Sequence, residues 1–273
     1  VQANLNTHNV LAQGPWEFSL TSNLRYLDQE RAIAEPEEKG IEFMDYLFNG
    51  SYQKGALAAR AAIGDISIDE SRNTVSGLSR RGGSFGLDYG PVFTSGFVVR
   101  SDQAYGIDGD EGLDFDNADH IYGATAGIRL FRERVTLKSL YVTGGESASD
   151  SSYGTWPDPG GLEGEAHGFS LETDLFENRF MTYFEWDASD YDPDVSDGVA
   201  SKADKAWLAQ VNGTLGWFSY EGLYEYTGPD YAVPGNAGIQ PDREGFYAGS
   251  GLTFETVSLT GSVYQGQVPR AAV

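Results

Sequence analysis

The chain contains no cysteine, so neither a disulfide framework nor thiol chemistry is available to it. Nowhere does it offer the roughly 18 consecutive apolar residues that a membrane-crossing helix needs. Positive charge is scarce. Eighteen Lys and Arg stand against 41 Asp and Glu, a formal net charge of −23 over 273 residues. That surface repels phosphate and excludes nucleic acid as a partner. The opening Val1-Gln2-Ala3-Asn4 has none of the marks of a secretory signal, so the chain reads as mature, cytosolic or cut from something longer. Aromatic residues and glycine are plentiful. Tyr 16, Phe 15 and Trp 5 are too many for a disordered acidic chain, and Gly 35 lies within strand-like runs as well as in turns. The mean hydropathy of −0.38 is compatible with a membrane protein if alternate residues alone meet lipid.

Every-other-residue hydrophobicity is what fills the sequence. From His167, the apolar Phe169, Leu171 and Leu175 alternate with Ser170, Glu172 and Asp174. After the turn Glu177-Asn178-Arg179, the series Phe180, Phe184, Trp186, Ala188 alternates with Met181, Tyr183, Glu185, Asp187. A period of two means strands with one apolar and one wet face. Reversing the register would put Glu185 and Asp187 in the apolar layer.

About seven hairpins follow from this pattern. Their tight turns fall at Ala12-Gln13-Gly14-Pro15, Gln53-Lys54-Gly55, Gly90-Pro91, Arg132-Glu133-Arg134, Glu177-Asn178-Arg179, between 215 and 218, and at Glu255-Thr256. The long connections fall at 28–41, 69–82, 105–118, 145–166, 190–203 and 229–244. Most strands span about 10–13 residues, close to the length a tilted strand needs to cross a bilayer. Soluble strands are about half as long. Charge follows the same polarity. Glu35, Glu37, Glu38, Asp108, Asp110, Glu111, Asp114, Asp116, Asp192, Asp194 and Asp197 sit in long loops, whereas Lys54, Arg132, Arg134 and Arg179 sit in short turns. No helix and no domain boundary is expected; residues 1–273 read as a single β-barrel unit.

With Trp16, Tyr26, Trp186, Trp207 and Tyr226 near strand ends, the pattern resembles Gram-negative outer-membrane β-barrel proteins of the porin-like kind. The resemblance implies an antiparallel up-and-down transmembrane β-barrel in the bacterial outer membrane, with short periplasmic turns and long extracellular loops. It also implies membrane lipid and outer-leaflet glycolipid as surroundings, and possible envelope-protein partners. It is one of pattern, so it speaks to architecture more than to substrate. Two departures stand out. The chain ends Gln267-Val268-Pro269-Arg270-Ala271-Ala272-Val273 rather than on an aromatic strand end, and about fourteen strands put both ends on the long-loop side. Both point to an internal piece of a larger barrel, of at least about 16 strands by the even-number rule.

By alternation the inward, lumen-lining set comprises Glu17, Arg25, Arg60, Arg129, Lys138, Glu172, Asp174, Glu185, Asp187, Glu221 and Glu225. Its acids gather between Glu172 and Glu225, which fits a cation-favouring aqueous lumen, or groups that keep the interior wet and pair across strands. The stretch from Asp108 to Asp116 offers oxygen ligands at Asp108, Asp110, Asp114 and Asp116 for Ca²⁺, without EF-hand spacing or flanking helices. No other cofactor is implied. Gly82-Gly83-Ser84-Phe85-Gly86 matches G-x-S-x-G, but it opens a strand with no helix after it. His8, His120 and His167 lie apart near strand ends, His120 beside Asp119 and His167 two residues from Glu165. The sequons at Asn49 and Asn212 fall within strands. Arg80-Arg81 reads as the basic spot of a long loop, for a phosphate or for solvent.

The expected function is therefore a channel or export conduit with a net acidic lumen, not an enzyme. The alternative is a structural or scaffold barrel that sheathes or binds a partner at the cell surface, which the long acidic loops suggest.

Overall fold

The computed structural model describes residues 2–28, 39–101, 119–147 and 160–267. Fourteen strands form one sheet in strict sequence order: β1 (Gln2–Gln13), β2 (Trp16–Asp28), β3 (Lys39–Lys54), β4 (Leu57–Ile68), β5 (Leu78–Tyr89), β6 (Val92–Arg100), β7 (His120–Leu130), β8 (Val135–Glu146), β9 (Leu162–Leu175), β10 (Phe180–Asp192), β11 (Lys202–Leu215), β12 (Phe218–Thr227), β13 (Arg243–Thr253) and β14 (Ser258–Gln267). Each strand pairs antiparallel with its neighbours in sequence, and the described residues contain no α-helix. This is the all-β, up-and-down architecture that the alternation predicts. Among the described residues no ladder joins β1 to β14, so the sheet is open along that seam.

The turns alternate in length as expected. Residues 14–15, 55–56, 90–91, 131–134, 176–179, 216–217 and 254–257 make the short ones. Several strands are longer than their hydrophobic alternation suggests: β5 begins at Leu78 rather than near 83, and β9 at Leu162 rather than at His167. The ladder continues there through glycine and polar residues, which carry no periodic signal but still exchange backbone hydrogen bonds. Arg80 and Arg81 thus belong to β5, not to a loop, and Arg81 is 1% exposed in an ion pair with Asp65 at 3.1 Å.

Directly paired residues share a face, so register assigns the faces. Trp186 pairs with Phe169 and Trp207, and Trp207 with Tyr226. Leu20 pairs with Phe48, and Phe48 with Ile63. Many of these large side chains are exposed, among them Leu20, Phe48, Ile63, Phe85, Phe169 and Phe246. They make a continuous apolar outer face, too large for a soluble monomer to show to water.

The opposite face carries the core. Segment 69–77 connects β4 to β5 yet hydrogen-bonds to β10 and β11, so the sheet curls strongly around that face. Val75 from this segment, with Tyr231 and Val233 from segment 228–242, packs against the inward residues Ile66, Ile68, Phe97, Val99, Ile121, Leu140, Val142, Ala166 and Ala206. The interior of the β4–β11 region is therefore dry at this level, a feature that strand alternation does not reveal.

Candidate functional site: an inward strap and the charged interior wall

Segment 69–77 has its own local turn. Ser71 Oγ accepts hydrogen bonds from the amides of Thr74 (2.9 Å) and Val75 (3.0 Å), and the amides of Glu70 and Ser71 donate to the Val75 carbonyl at 2.9 and 3.0 Å. Ser with Asn and Thr downstream is a residue mix suited to such side-chain-to-backbone bonding.

Its outer end is held by Glu70. Ser95 Oγ on β6 donates to Glu70 Oε1 at 2.8 Å, and Lys138 on β8 contacts both the Glu70 carbonyl and its Oε2, the latter at 3.6 Å. Its tip is held by β10. The amides of Arg72 and Asn73 donate to the two oxygens of Glu185 at 3.1 and 2.8 Å, and Asn73 Nδ2 donates to Asp187 at 3.0 Å. Tyr183 also donates its hydroxyl to Glu185. The Arg72 guanidinium donates to Gln210 Oε1 at 2.7 Å and lies 4.6 Å above the Tyr183 ring. Glu185 and Asp187 are each 1% exposed.

A second segment clamps the first. Asn236 Nδ2 donates to the carbonyls of Arg72 (3.2 Å) and Asn73 (3.1 Å), and Tyr231 Oη is 3.1 Å from Thr74 Oγ1. Burial, and next the nearby Asp187 charge, push the Tyr231 phenol above its ordinary range, so it stays protonated. A Cβ on Gly235 would lie 2.7 Å from the Thr74 carbonyl, so that crossing tolerates no side chain. The same holds at Gly168, which pairs with Asp187. A Cβ there would fall 1.9 Å from Asp187 Oδ1.

The eleven sequence-predicted wall residues all lie, by register, on the face opposite the outward aromatics. They do not form one group. Arg129 and Arg60 meet the carboxylate of Asp88, at 2.8 and 3.8 Å, near the short turns. Lys138 is engaged by Glu70. Glu185 and Asp187 lie beneath the strap rather than against open solvent. Glu225 pairs with Arg243 at 2.6 Å, and Glu221 accepts from Gln210 at 2.9 Å. Asp174 accepts the Asn178 amide at 2.8 Å, a turn contact. Glu17 and Glu172 are exposed, and Arg25 is half-buried. Sequence reasoning missed Glu70, Arg72, Asn73, Tyr231 and Asn236, since nothing in a loop's composition says which wall it will meet.

Other candidates disperse. Ser84 sits mid-strand in β5, paired with Ala62 and Phe97, and not at a strand–turn–helix elbow. Asp119 accepts the Ser147 amide at 2.6 Å, and Glu165 accepts the Tyr141 hydroxyl at 2.7 Å. Asp108, Asp110, Asp114 and Asp116 lie outside the described residues. Among the described residues no group of three or more His, Asp or Glu is placed to hold a metal ion.

An antiparallel up-and-down sheet with an apolar outer belt, a polar inner wall and inward-folded loops defines the porin-like barrel class of fold. In keeping with this, the chain is similar in structure to OccK9 (OpdG) of Pseudomonas aeruginosa, with a TM-score of 0.53 at 12% sequence identity, over 99% of this chain and 76% of that one. No protein-family model and no curated protein matches the sequence.

Proposed function

We propose that the chain forms a bacterial outer-membrane channel for small hydrophilic solutes, non-enzymatic, narrowed by the 69–77 strap. The observation that carries this is the division of faces along every ladder: Phe184, Trp186 and Phe169 out, Glu172, Tyr183 and Glu221 in. Hydrocarbon on the outer face and water within is the arrangement that satisfies both. The fold shared with OccK9 (OpdG) supports the same reading. The protein's own segments 69–77 and 228–242 pack on the inner face, which favours a conduit over a sheath for another protein.

The reading requires the β1–β14 seam to be closed in the membrane, because unpaired backbone groups in hydrocarbon cost several kcal/mol each. Further antiparallel strands would close it. Net charge on the wall favours cations: Glu17, Glu172 and Glu221 are exposed, whereas Arg60, Arg129, Lys138 and Arg243 each face a carboxylate.

Planar-bilayer recording of the full-length protein tests the proposal. Discrete conductance steps with a reversal potential displaced toward the cation are expected. Silence over a range of protein concentrations would sink it.

A further inference from the structure

Two of the short turns differ from the rest. Turns 14–15, 55–56, 90–91 and 216–217 each place a glycine in the left-handed region, at Gly14, Gly55, Gly90 and Gly216. Turns 131–134 and 176–179 contain no glycine. They hold six of the seven described non-glycine residues with positive φ: Phe131, Arg132, Glu133, Phe176, Glu177 and Asn178. Bulky side chains adopt that region at an energetic cost, so the conformation must be held by its surroundings. Neighbouring strands supply the hold. The Arg134 carbonyl accepts the Asp174 amide at 2.8 Å, and the Asn178 carbonyl accepts the Thr214 amide at 3.1 Å. The Arg179 carbonyl accepts the Tyr220 hydroxyl at 2.7 Å, and the Arg134 guanidinium lies 3.6 Å from Glu177. Both turns read Phe-x-x-Arg. The held conformation leaves Phe131 and Phe176 75% and 67% exposed, directly beyond the outward pairs Leu130–Val135 and Leu175–Phe180.

We infer that this pair of turns is a binding site for an anionic phospholipid of the adjoining leaflet. The inference rests on the membrane reading above and gives the short-turn rim between β7 and β10 a ligand. Phe131 and Phe176 continue the apolar outer face past the last strand pairs, into the boundary between acyl chain and headgroup. Arg132 and Arg179 are exposed, and among the described residues neither has a carboxylate within ion-pair distance. With Arg134 they outnumber Glu133 and Glu177, so this rim is net positive in a chain of formal charge −23. A guanidinium grips phosphate oxygens through two parallel N–H donors. A phosphate on an acylated glycerol satisfies the arginines and the phenylalanines together. The next turns along the rim show what the arginines add. Trp217 and Phe254 are exposed there and stack at 5.5 Å, but turns 216–217 and 254–257 carry Glu255 and no cation. They suit acyl chains without choosing a headgroup.

Native mass spectrometry of the full-length protein in detergent, titrated with dioleoyl phosphatidylglycerol or dioleoyl phosphatidylcholine, tests the site. The unmodified protein should bind phosphatidylglycerol at least about tenfold more tightly. Each arginine at a lipid surface accounts for roughly a fivefold preference, so Arg132→Gln combined with Arg179→Gln should weaken phosphatidylglycerol roughly ten- to thirtyfold and leave phosphatidylcholine unchanged. Phe131→Ser with Phe176→Ser should weaken both lipids by the same factor. Lys54→Gln, on the turn between β3 and β4, should change neither. Equal affinity of the unmodified protein for the two lipids, as when a periplasmic protein is the occupant, would overturn the inference. So would a loss at Lys54→Gln matching that of the arginine pair, which would mean a diffuse charge effect. Failure of the membrane reading shows separately, as an unmodified protein that inserts into vesicles of neither lipid. Variants that do not fold are recognised by loss of heat-modifiable migration, and Arg179→Gln alone then carries the test, with roughly a fivefold loss expected.

Discussion

Glu185→Gln isolates what holds the strap. In the wild type, both carboxylate oxygens accept from backbone amides, Arg72 at 3.1 Å and Asn73 at 2.8 Å, and Tyr183 adds a hydroxyl. Glutamine keeps the shape but turns one acceptor into an NH₂, which then faces an amide donor. A hydrogen bond to a charged group contributes about 1.5–3 kcal/mol, and a buried donor left without a partner costs a similar amount. Opposing this, a buried amide costs less to desolvate than a buried carboxylate. Three donors converge on Glu185 with the Arg72 guanidinium close by, so the lost bonds should outweigh the relief. At about 1.4 kcal/mol per decade, the strap's opening constant should rise roughly ten- to hundredfold. Hydrogen exchange resolved by mass spectrometry or NMR in a lipid-reconstituted sample reads this directly at Arg72 and Asn73. Amides of the β6 and β8 ladders, such as Val99 and Val142, serve as controls and should not change. Unchanged or slower exchange at Arg72 and Asn73 would mean that Glu185 is not the latch. Equal acceleration at Val99 and Val142 would mean that the substitution acts on the whole sheet.

Two further outcomes follow from the same geometry. Gly168→Ala should push Asp187 away from Asn73, since the new Cβ would sit 1.9 Å from Asp187 Oδ1 and 2.8 Å from the Trp186 carbonyl. A loss of about 1–3 kcal/mol in urea unfolding from lipid, typical of overpacking, is expected, and wild-type stability would contradict the close approach. In segment 193–201, the Ser196 hydroxyl and then its amide, with the Gly160 amide, hold the Asp194 carboxyl below the ordinary aspartate range. A depressed folded value means that these contacts steady the segment above the ordinary aspartate value of about 4 and are lost as pH falls through the lower, folded one. Exchange at the Ser196 and Gly160 amides should accelerate only on acidification below that range; a transition near neutral pH would refute the assignment.

The strand alternation was legible in the residues themselves because a strand has no other way to separate lipid from water than to send successive side chains to opposite faces. Trp186 and Asp187, side by side in the chain, therefore declare their faces without any tertiary information. Seven short turns were equally legible, since two adjacent strands joined by a few residues must be antiparallel neighbours. Strand ends such as Leu78 and Leu162 were not, because backbone pairing continues past the last periodic residue.

What tertiary structure alone decided is where the long loops go. Ser71-Arg72-Asn73-Thr74 looks like any polar connection, and the destination of Asn73, 112 residues away at Glu185, depends on the curl of five intervening strands. That curl brings Tyr231 and Asn236 to the same place and buries two carboxylates that the alternation assigned to water. Side-chain periodicity specifies a face; which part of that face stays wet depends on contacts between residues far apart in sequence, and those exist only once the sheet has curled to bring them together.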